Sequence, residues 1–326
     1  APLPQWPTAG RLDEHANNSI IRGNADCARW VAGDMSDNNQ DELTPAEENI
    51  WYRLMTFHGV VENRWSGDGR ATHAKNRELW HRWALPALTA KRIQAAGLSG
   101  LEPLTDAEQT EIAGVLDVRT LPDPAERVDM SSTHFSLAFM AGGLVFPRWV
   151  YFSKAHFNAV ADFSEVRFND GAFFGAAHFD DTAYFSKARF DGDTWFSGAY
   201  FDGGVDFSAS NFDANVYFGD AHFPDSAYFN AAYFHGGANF IETYFDADAD
   251  FSDCGFSGAT DFIGATFLQP PLFHQASLHQ DTSFHAANFS GARAVAGDRA
   301  ARAWQRLKVI MNEGHAHDQE LRFFGY

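Results

Sequence analysis

The sequence predicts a mainly β fold: a four-sided β-helical solenoid of about 22 residues per coil and about seven coils, with helices at both ends. Three observations lead there. A phenylalanine recurs at alternating steps of five and six residues, a small side chain stands two residues before nearly every ring, and both features are confined to residues 130–295.

Phenylalanine is used as a building part, with 32 copies in 326 residues against 5 methionines. In "FSKARFDGDTWFSGAYFDGGVDF" the rings fall at 185, 190, 196, 201 and 207. The phase holds at each of 24 positions from Phe146 to Phe273, continues through Leu278, Phe284, Phe289 and Val295, and runs back through Ala141, Phe135 and Met130. Two residues before the rings from Phe152 to Phe267 stands Ala in 13 of 22 cases, and otherwise Val, Thr, Ser or Cys. A separation of two is the strand period, so ring and small residue point inward together while the residue between them points out. Large beside small is how a narrow interior fills without voids. Helical spacing would scatter the rings around the axis.

Like residues stack only if a coil is a multiple of eleven residues. Eleven provide two sides and cannot enclose two rings; twenty-two provide four short sides with one phenylalanine each. At a rung spacing of about 4.8 Å, the run from Phe135 to Phe289 makes a rod of roughly 34 Å.

The unit is a small residue, a polar residue, a central Phe and two variable residues, carried by "FSGAYF", "FSDCGFSGATDF" and "FSKARFDGDTWF". It resembles the pentapeptide repeat proteins over about residues 130–295, with one extra residue in every second unit as its departure at alternate corners. That resemblance implies a right-handed, four-sided β-helix. It implies less about function, since the family includes DNA-mimicking proteins that protect or inhibit topoisomerases, membrane-associated proteins and members of no known role.

Residues 1–129 lack the repeat and read as a helical domain docked on the first coil. Thr44-Pro45-Ala46-Glu47 and Thr105-Asp106-Ala107-Glu108 have the form of capping boxes. Between them Leu79, Trp80, Trp83, Leu85, Leu88 and Ile93 suit one or two helices broken near Pro86, and Leu116–Pro124 leads into the coil. Residues 296–326 form a helical cap or tail, with Ala300, Ala303, Trp304, Leu307, Ile310 and Met311 on one face and Gly314 as the stop. A bare solenoid end exposes rings and strand edges, so both ends need covering.

Chemistry-bearing constellations are sparse. Glu78-Leu79-Trp80-His81, with His58 and Glu62, has the spacing of a carboxylate-bridged metal bundle but lacks its second half. His315-Ala316-His317-Asp318 lacks the further ligands of a zinc site, and the carboxylates of Asp246 to Asp253 alternate in side, unlike a calcium cage. Phosphate-loop and nucleophile-elbow motifs are missing. Cys27 and Cys254 are expected to be unpaired thiols, as in a reducing, cytoplasmic compartment. No cofactor and no catalysis are expected. No stretch reaches the roughly 18 apolar residues of a membrane span, so a soluble chain is expected.

The charge is more informative. The formal net charge is −19, and residues 191–290 hold 14 acids with no Lys or Arg. Residues 130–290 hold 19 acids and 5 bases, all five before residue 190. A coil of 22 aligns outward residues in columns. One reads Asp162, Tyr184, Asp206, Tyr228, Asp250; another reads Phe173, Trp195, Tyr217, Asn239, Asp261. Phe173, Trp195 and Tyr217 are expected to form an exposed aromatic strip, which together with Asp206, Asp250 and Asp261 makes the candidate partner-binding surface.

The reading is a non-enzymatic interaction or scaffold protein, an acidic rigid rod for a basic protein partner. One version is DNA mimicry against a nucleic-acid-binding protein; direct nucleic-acid binding is disfavoured by the charge. The alternative is a membrane-associated scaffold, using Arg299, Arg302, Arg306 and Lys308 of the tail helix or spans beyond it. Oligomerisation through Trp304's helix is a further expectation.

Overall fold

The computed structural model describes residues 43–63, 66–289, 291–292 and 297–313. From Val128 the chain winds as a parallel β-solenoid of strands two or three residues long, each pairing with the strand one coil on. Strands Val128–Asp129, Val150–Tyr151 and onward to Thr260–Asp261 form the first face. The second runs from Thr133–Phe135 to Thr266–Phe267, the third from Phe139–Met140 to Ala249–Asp250, and the fourth from Val145–Phe146 to Gly255–Phe256. Six complete four-stranded turns result, and single bridges at Leu272, Ser277, Ser283 and Asn288 carry the winding further. The register is 22 residues throughout, as in Phe173↔Trp195 and Tyr184↔Asp206.

The interior is four files of phenylalanine. Phe185 lies over Phe207 with ring centroids 4.8 Å apart and planes 12° apart, and Phe157 over Phe179 at 4.7 Å and 1°. Between files the rings meet edge to face, as Phe174 does with Phe185 at 5.4 Å and 89°. Both arrangements are the ones that the ring quadrupole favours over an eclipsed sandwich. The small residues between rings, among them Ala155, Ala161 and Ala183, are fully buried.

Alternation of five and six has a backbone cause. Every five-residue step holds a left-handed residue at its second position after the ring: Lys154 at φ 57°, Glu165 at 59°, Lys187 at 57°, and so on every eleven residues from Ser132 to Ala286. From Gly143 to Ala286 the residue after it donates to the carbonyl three residues back, as Ala155 N does to Phe152 O at 3.0 Å, the form of a type II turn. These tight turns join the first face to the second and the third to the fourth. Six-residue steps make the other two corners without a left-handed residue. There Gly203 and Gly236 pass so close to the rung before that a Cβ would stand 2.5 Å from Asp181 C and 2.4 Å from Ala214 C.

The amino-terminal helices are α1 (Ile50–Met55), α2 (Gly67–Ala84), α3 (Ala90–Ala95) and α4 (Asp106–Val115). Thr105 and Glu108 make the expected capping box on α4. Thr44 does not cap: Thr44–Pro45 is a strand paired with Thr133–His134, and Asn49 caps α1 instead. The difference is physical, since the free edge of the second face takes up the Thr44–Pro45 backbone. Helix α2 docks by Trp80, whose Nε1 donates to Val145 O at 2.9 Å and whose ring meets Phe146 at 5.3 Å. Tyr52 of α1 packs on Phe135 and Phe139. Helices and rod therefore share one continuous apolar core.

At the far end, α5 (Asp298–Glu313) lies across the last coil with Ala300, Ala303 and Leu307 buried. Trp304 meets Phe289 edge to face at 5.8 Å. Arg306 donates to Phe273 O and Ala276 O, taking up carbonyls at the rod's end. The helix caps its own rod, with Trp304 half-buried against Phe289. Ile310, Met311, Gly314, Arg299, Cys27 and the His315–Asp318 segment lie outside the described side chains.

Candidate interaction surfaces of the rod

Each face presents one outward column, and the four differ in chemistry. On the first face Tyr151, Phe173, Trp195 and Tyr217 stack ring on ring, with centroids 4.5, 4.4 and 5.5 Å apart. Trp149 lies beside Phe173 and Trp195, and Arg127 stands over Tyr151 at 5.3 Å. The rung spacing of a β-ladder, about 4.8 Å, is close to the centroid separation of offset-stacked rings, so each ring covers its neighbour. The expected exposed strip is thus half-buried at Phe173 and Trp195, and Tyr217 is only 7% exposed. Below it Asn239 is fully buried and Asp261 is 6% exposed, burial raising the Asp261 carboxyl above the usual carboxylate range.

The third face carries Asp162, Tyr184, Asp206, Tyr228 and Asp250 in register, as the coil length requires. Asp206 Oδ1 accepts from Ser208 N at 2.8 Å and Asp250 Oδ1 from Ser252 N at 2.9 Å, with Asp162 doing the same for Ser164 N. These carboxylates hold the entry to the next tight turn, a local side-chain-to-backbone bond typical of Asp. Tyr184 and Tyr228 between them are exposed. Of the six residues expected to form a binding surface, then, Asp206 and Asp250 are engaged in turn formation, Asp261 and Tyr217 are buried, and Phe173 and Trp195 present ring edges.

The fourth face holds a ladder of arginine–carboxylate pairs. Arg167 reaches Asp191 at 2.8 Å, Arg189 pairs with both Asp191 and Asp213, and Arg92 of α3 reaches Asp170 at 2.9 Å. Arg167 and Arg189 each grip the acid two residues past their own ladder partner one coil on. Beyond Asp213 no arginine or lysine remains in the coil to continue this ladder. Solvent-facing carboxylates downstream belong to corners instead: Asp202, Asp220, Asp225, Glu242, Asp253, and Asp281, which stands beside His279. Asp220 and Glu242 occupy the same turn on successive coils, and burial first, then the Glu242 charge, raises Asp220's pKa.

The second face was not anticipated. Its column reads His134, His156, His178, Tyr200, His222, Tyr244. His156 Nε2 lies 2.8 Å from Asp180 Oδ1, His178 Nε2 lies 3.3 Å from the same oxygen, and His222 Nε2 lies 2.8 Å from Asp246. The signal in the sequence was a histidine just before the ring at 22-residue intervals.

The bundle-like motif of α2 does not assemble: Glu78 is exposed while His81 is buried against the rod, its pKa lowered to about 4 by burial and then by Arg77. Cys254 is buried, its Sγ donating to Phe229 O at 2.9 Å, and burial raises the thiol to about 12. Among the described residues no helix is long and apolar enough to cross a membrane.

Residues 152–199 match the family model of pentapeptide repeats (9 copies). Among solved structures, a trypsin-treated variant of QnrB1, a plasmid-mediated fluoroquinolone resistance protein, is matched at 15% identity over 53% of this chain and 97% of that one, with a TM-score of 0.13. A score that low carries no argument. No curated protein matches. Residues 152–199 are thus matched as pentapeptide repeats, and the same 22-residue register and four files of rings continue the β-solenoid on either side of them.

Proposed function

We propose that the chain is a non-enzymatic interaction module whose downstream coils present an acidic surface to a basic protein partner. One observation carries this reading. The arginine ladder ends at Arg189, and from 191 to 290 the rod offers 14 acids and no Lys or Arg. A rigid array of one sign steers an oppositely charged partner and resists wrong ones. The carboxylates that suit this role are the corner residues Asp202, Asp220, Asp225, Glu242 and Asp253, which face solvent without a basic neighbour in the coil. The finer form of the proposal is DNA mimicry, in which the partner's basic nucleic-acid site is what the rod occupies.

The test is capture of partners from the native lysate by the intact protein and by Asp202→Asn/Asp220→Asn/Glu242→Gln/Asp253→Asn. Retention should fall in the variant and at raised salt, where exposed charges are screened. Duplex DNA should release the partner if the finer form holds. Equal capture by both proteins at all salt concentrations would remove the acidic rod as the recognition element. The tail helix gives the membrane alternative little support, because Arg306 is directed into the rod's end.

A further inference from the structure

We propose that the second face carries a surface site for a divalent transition metal ion of the zinc type, formed by His156, His178 and Asp180. These three offer ligand atoms that all lie within 4.8 Å of one another. His156 and His178 are β-ladder partners on adjacent rungs, their ring centroids 4.8 Å apart. Asp180 follows His178 by two residues and so projects from the same side at the next corner, where its backbone N–H is fixed to Phe157 O at 2.9 Å. Around a tetrahedral ion with bonds of about 2.0–2.1 Å, neighbouring ligand atoms stand about 3.3 Å apart. The observed separations from Asp180 Oδ1 are 2.8 Å to His156 Nε2 and 3.3 Å to His178 Nε2, so small side-chain rotations suffice. The backbone beneath is a continuous ladder and need not move.

Ligand chemistry selects the ion. Two imidazoles and one carboxylate suit zinc and its neighbours, whereas calcium and magnesium would want oxygen ligands that this cluster lacks. All three side chains reach solvent, which leaves the fourth position to water. The same column holds two comparisons that are each one ligand short. His134 faces Asn158 at 2.8 Å in place of an acid, and His222 with Asp246 has tyrosines, not histidines, on the rungs either side. Among the described residues, only the rungs of His156 and His178 bring two imidazoles to one carboxylate.

Calorimetric titration of the full chain with zinc chloride near neutral pH tests the assignment. One ion per chain should bind at this site. His156→Ala/His178→Ala should abolish that binding, Asp180→Asn should weaken it at least tenfold, and His222→Ala should leave it unchanged. Because His315 and His317 are a second possible source of imidazole, His315→Ala/His317→Ala is titrated alongside and should keep the site. Cobalt in place of zinc should give the visible absorption of a tetrahedral nitrogen–oxygen site in the wild type and lose it in the double ladder variant. Melting curves check that every variant is folded. Absence of binding by the wild type, undiminished binding by the double ladder variant, or loss confined to the tail variant would each overturn the proposal.

Discussion

Truncating Phe218 to alanine should cost about 3–5 kcal/mol, the range for emptying a buried aromatic position that cannot collapse. Phe218 is fully buried and is gripped on four sides: stacked on Phe196 at 5.0 Å and Phe240 at 4.9 Å, edge-on to Phe207 and Phe229, each at 5.5 Å. The loss of two stacked and two edge contacts is part of that figure, and the rungs on either side are held apart by the β-ladder, so the void persists. Tyr217, one residue earlier, points outward yet is 7% exposed under its stacked neighbour. Its removal opens a gap that water can enter, so Tyr217→Ala should cost less, about 1–2 kcal/mol of lost apolar burial. Urea titrations followed by far-ultraviolet circular dichroism measure both. In a rod stabilised by neighbour-to-neighbour contacts, the Phe218 variant should also broaden or split its transition as the two halves uncouple. Equal losses for the two variants, or a Phe218→Ala cost below about 1 kcal/mol, would refute the division of each strand into an inward and an outward side.

Exchange of glycine and alanine should have opposite signs at the two kinds of corner. Ala209→Gly, at φ 54°, relieves a left-handed alanine and should be neutral or slightly stabilising, while Gly236→Ala, with its Cβ 2.4 Å from Ala214 C, should cost about 1–3 kcal/mol in thermal or urea unfolding. His81 has its folded pKa lowered to about 4 from 6.5, so the unfolded chain binds the extra proton first. Stability from this group is intact above about pH 6.5, declines as pH falls to about 4, and levels off below, a total of at most about 3 kcal/mol; His81→Leu should flatten that slope in denaturation midpoints measured across the window. Thr105→Ala, which removes the α4 cap, should cost about 1 kcal/mol by the same measurement.

What could be read from the sequence was whatever the period imposes. The inward files, the 22-residue return and the membership of each outward column follow from spacing alone, and Phe185 over Phe207 and Asp206 beside Tyr228 are where spacing puts them. Exposure is a different matter, because it depends on what the neighbouring rung does. Tyr217 faces out but is covered by its stacked neighbour Trp195, and Asp206 faces out but bends back to Ser208 N. Columns also conceal diagonal relations. A partner at 24 residues, one coil plus one strand repeat, is what joins His156 to Asp180 and Arg167 to Asp191, and a search for residues close in sequence finds neither. Nor could helical pattern reveal that Thr44–Pro45 would be recruited as a strand, since the edge it completes belongs to residues nearly ninety positions away.

The tight turns connect these observations to function. A left-handed residue every eleven positions is tolerated at a cost of order 1 kcal/mol apiece for side chains other than glycine, yet Lys154, Glu165, Lys187, Asp220, Glu242 and Asp253 all occupy such sites. The left-handed turn projects its side chain at a corner, away from both adjoining faces, where neither stacking rings nor turn-forming carboxylates compete for it. Charged residues accepted there at the expense of backbone strain therefore stand at the rod's corners, where a partner would meet them. Upstream they are mixed in sign; downstream, at Asp220, Glu242 and Asp253, they are acidic. Replacing these three by glycine separates the two effects: the rod should hold or gain stability while any charge-dependent partner is lost. A variant that loses stability and partner together would show instead that the corner carboxylates serve the fold.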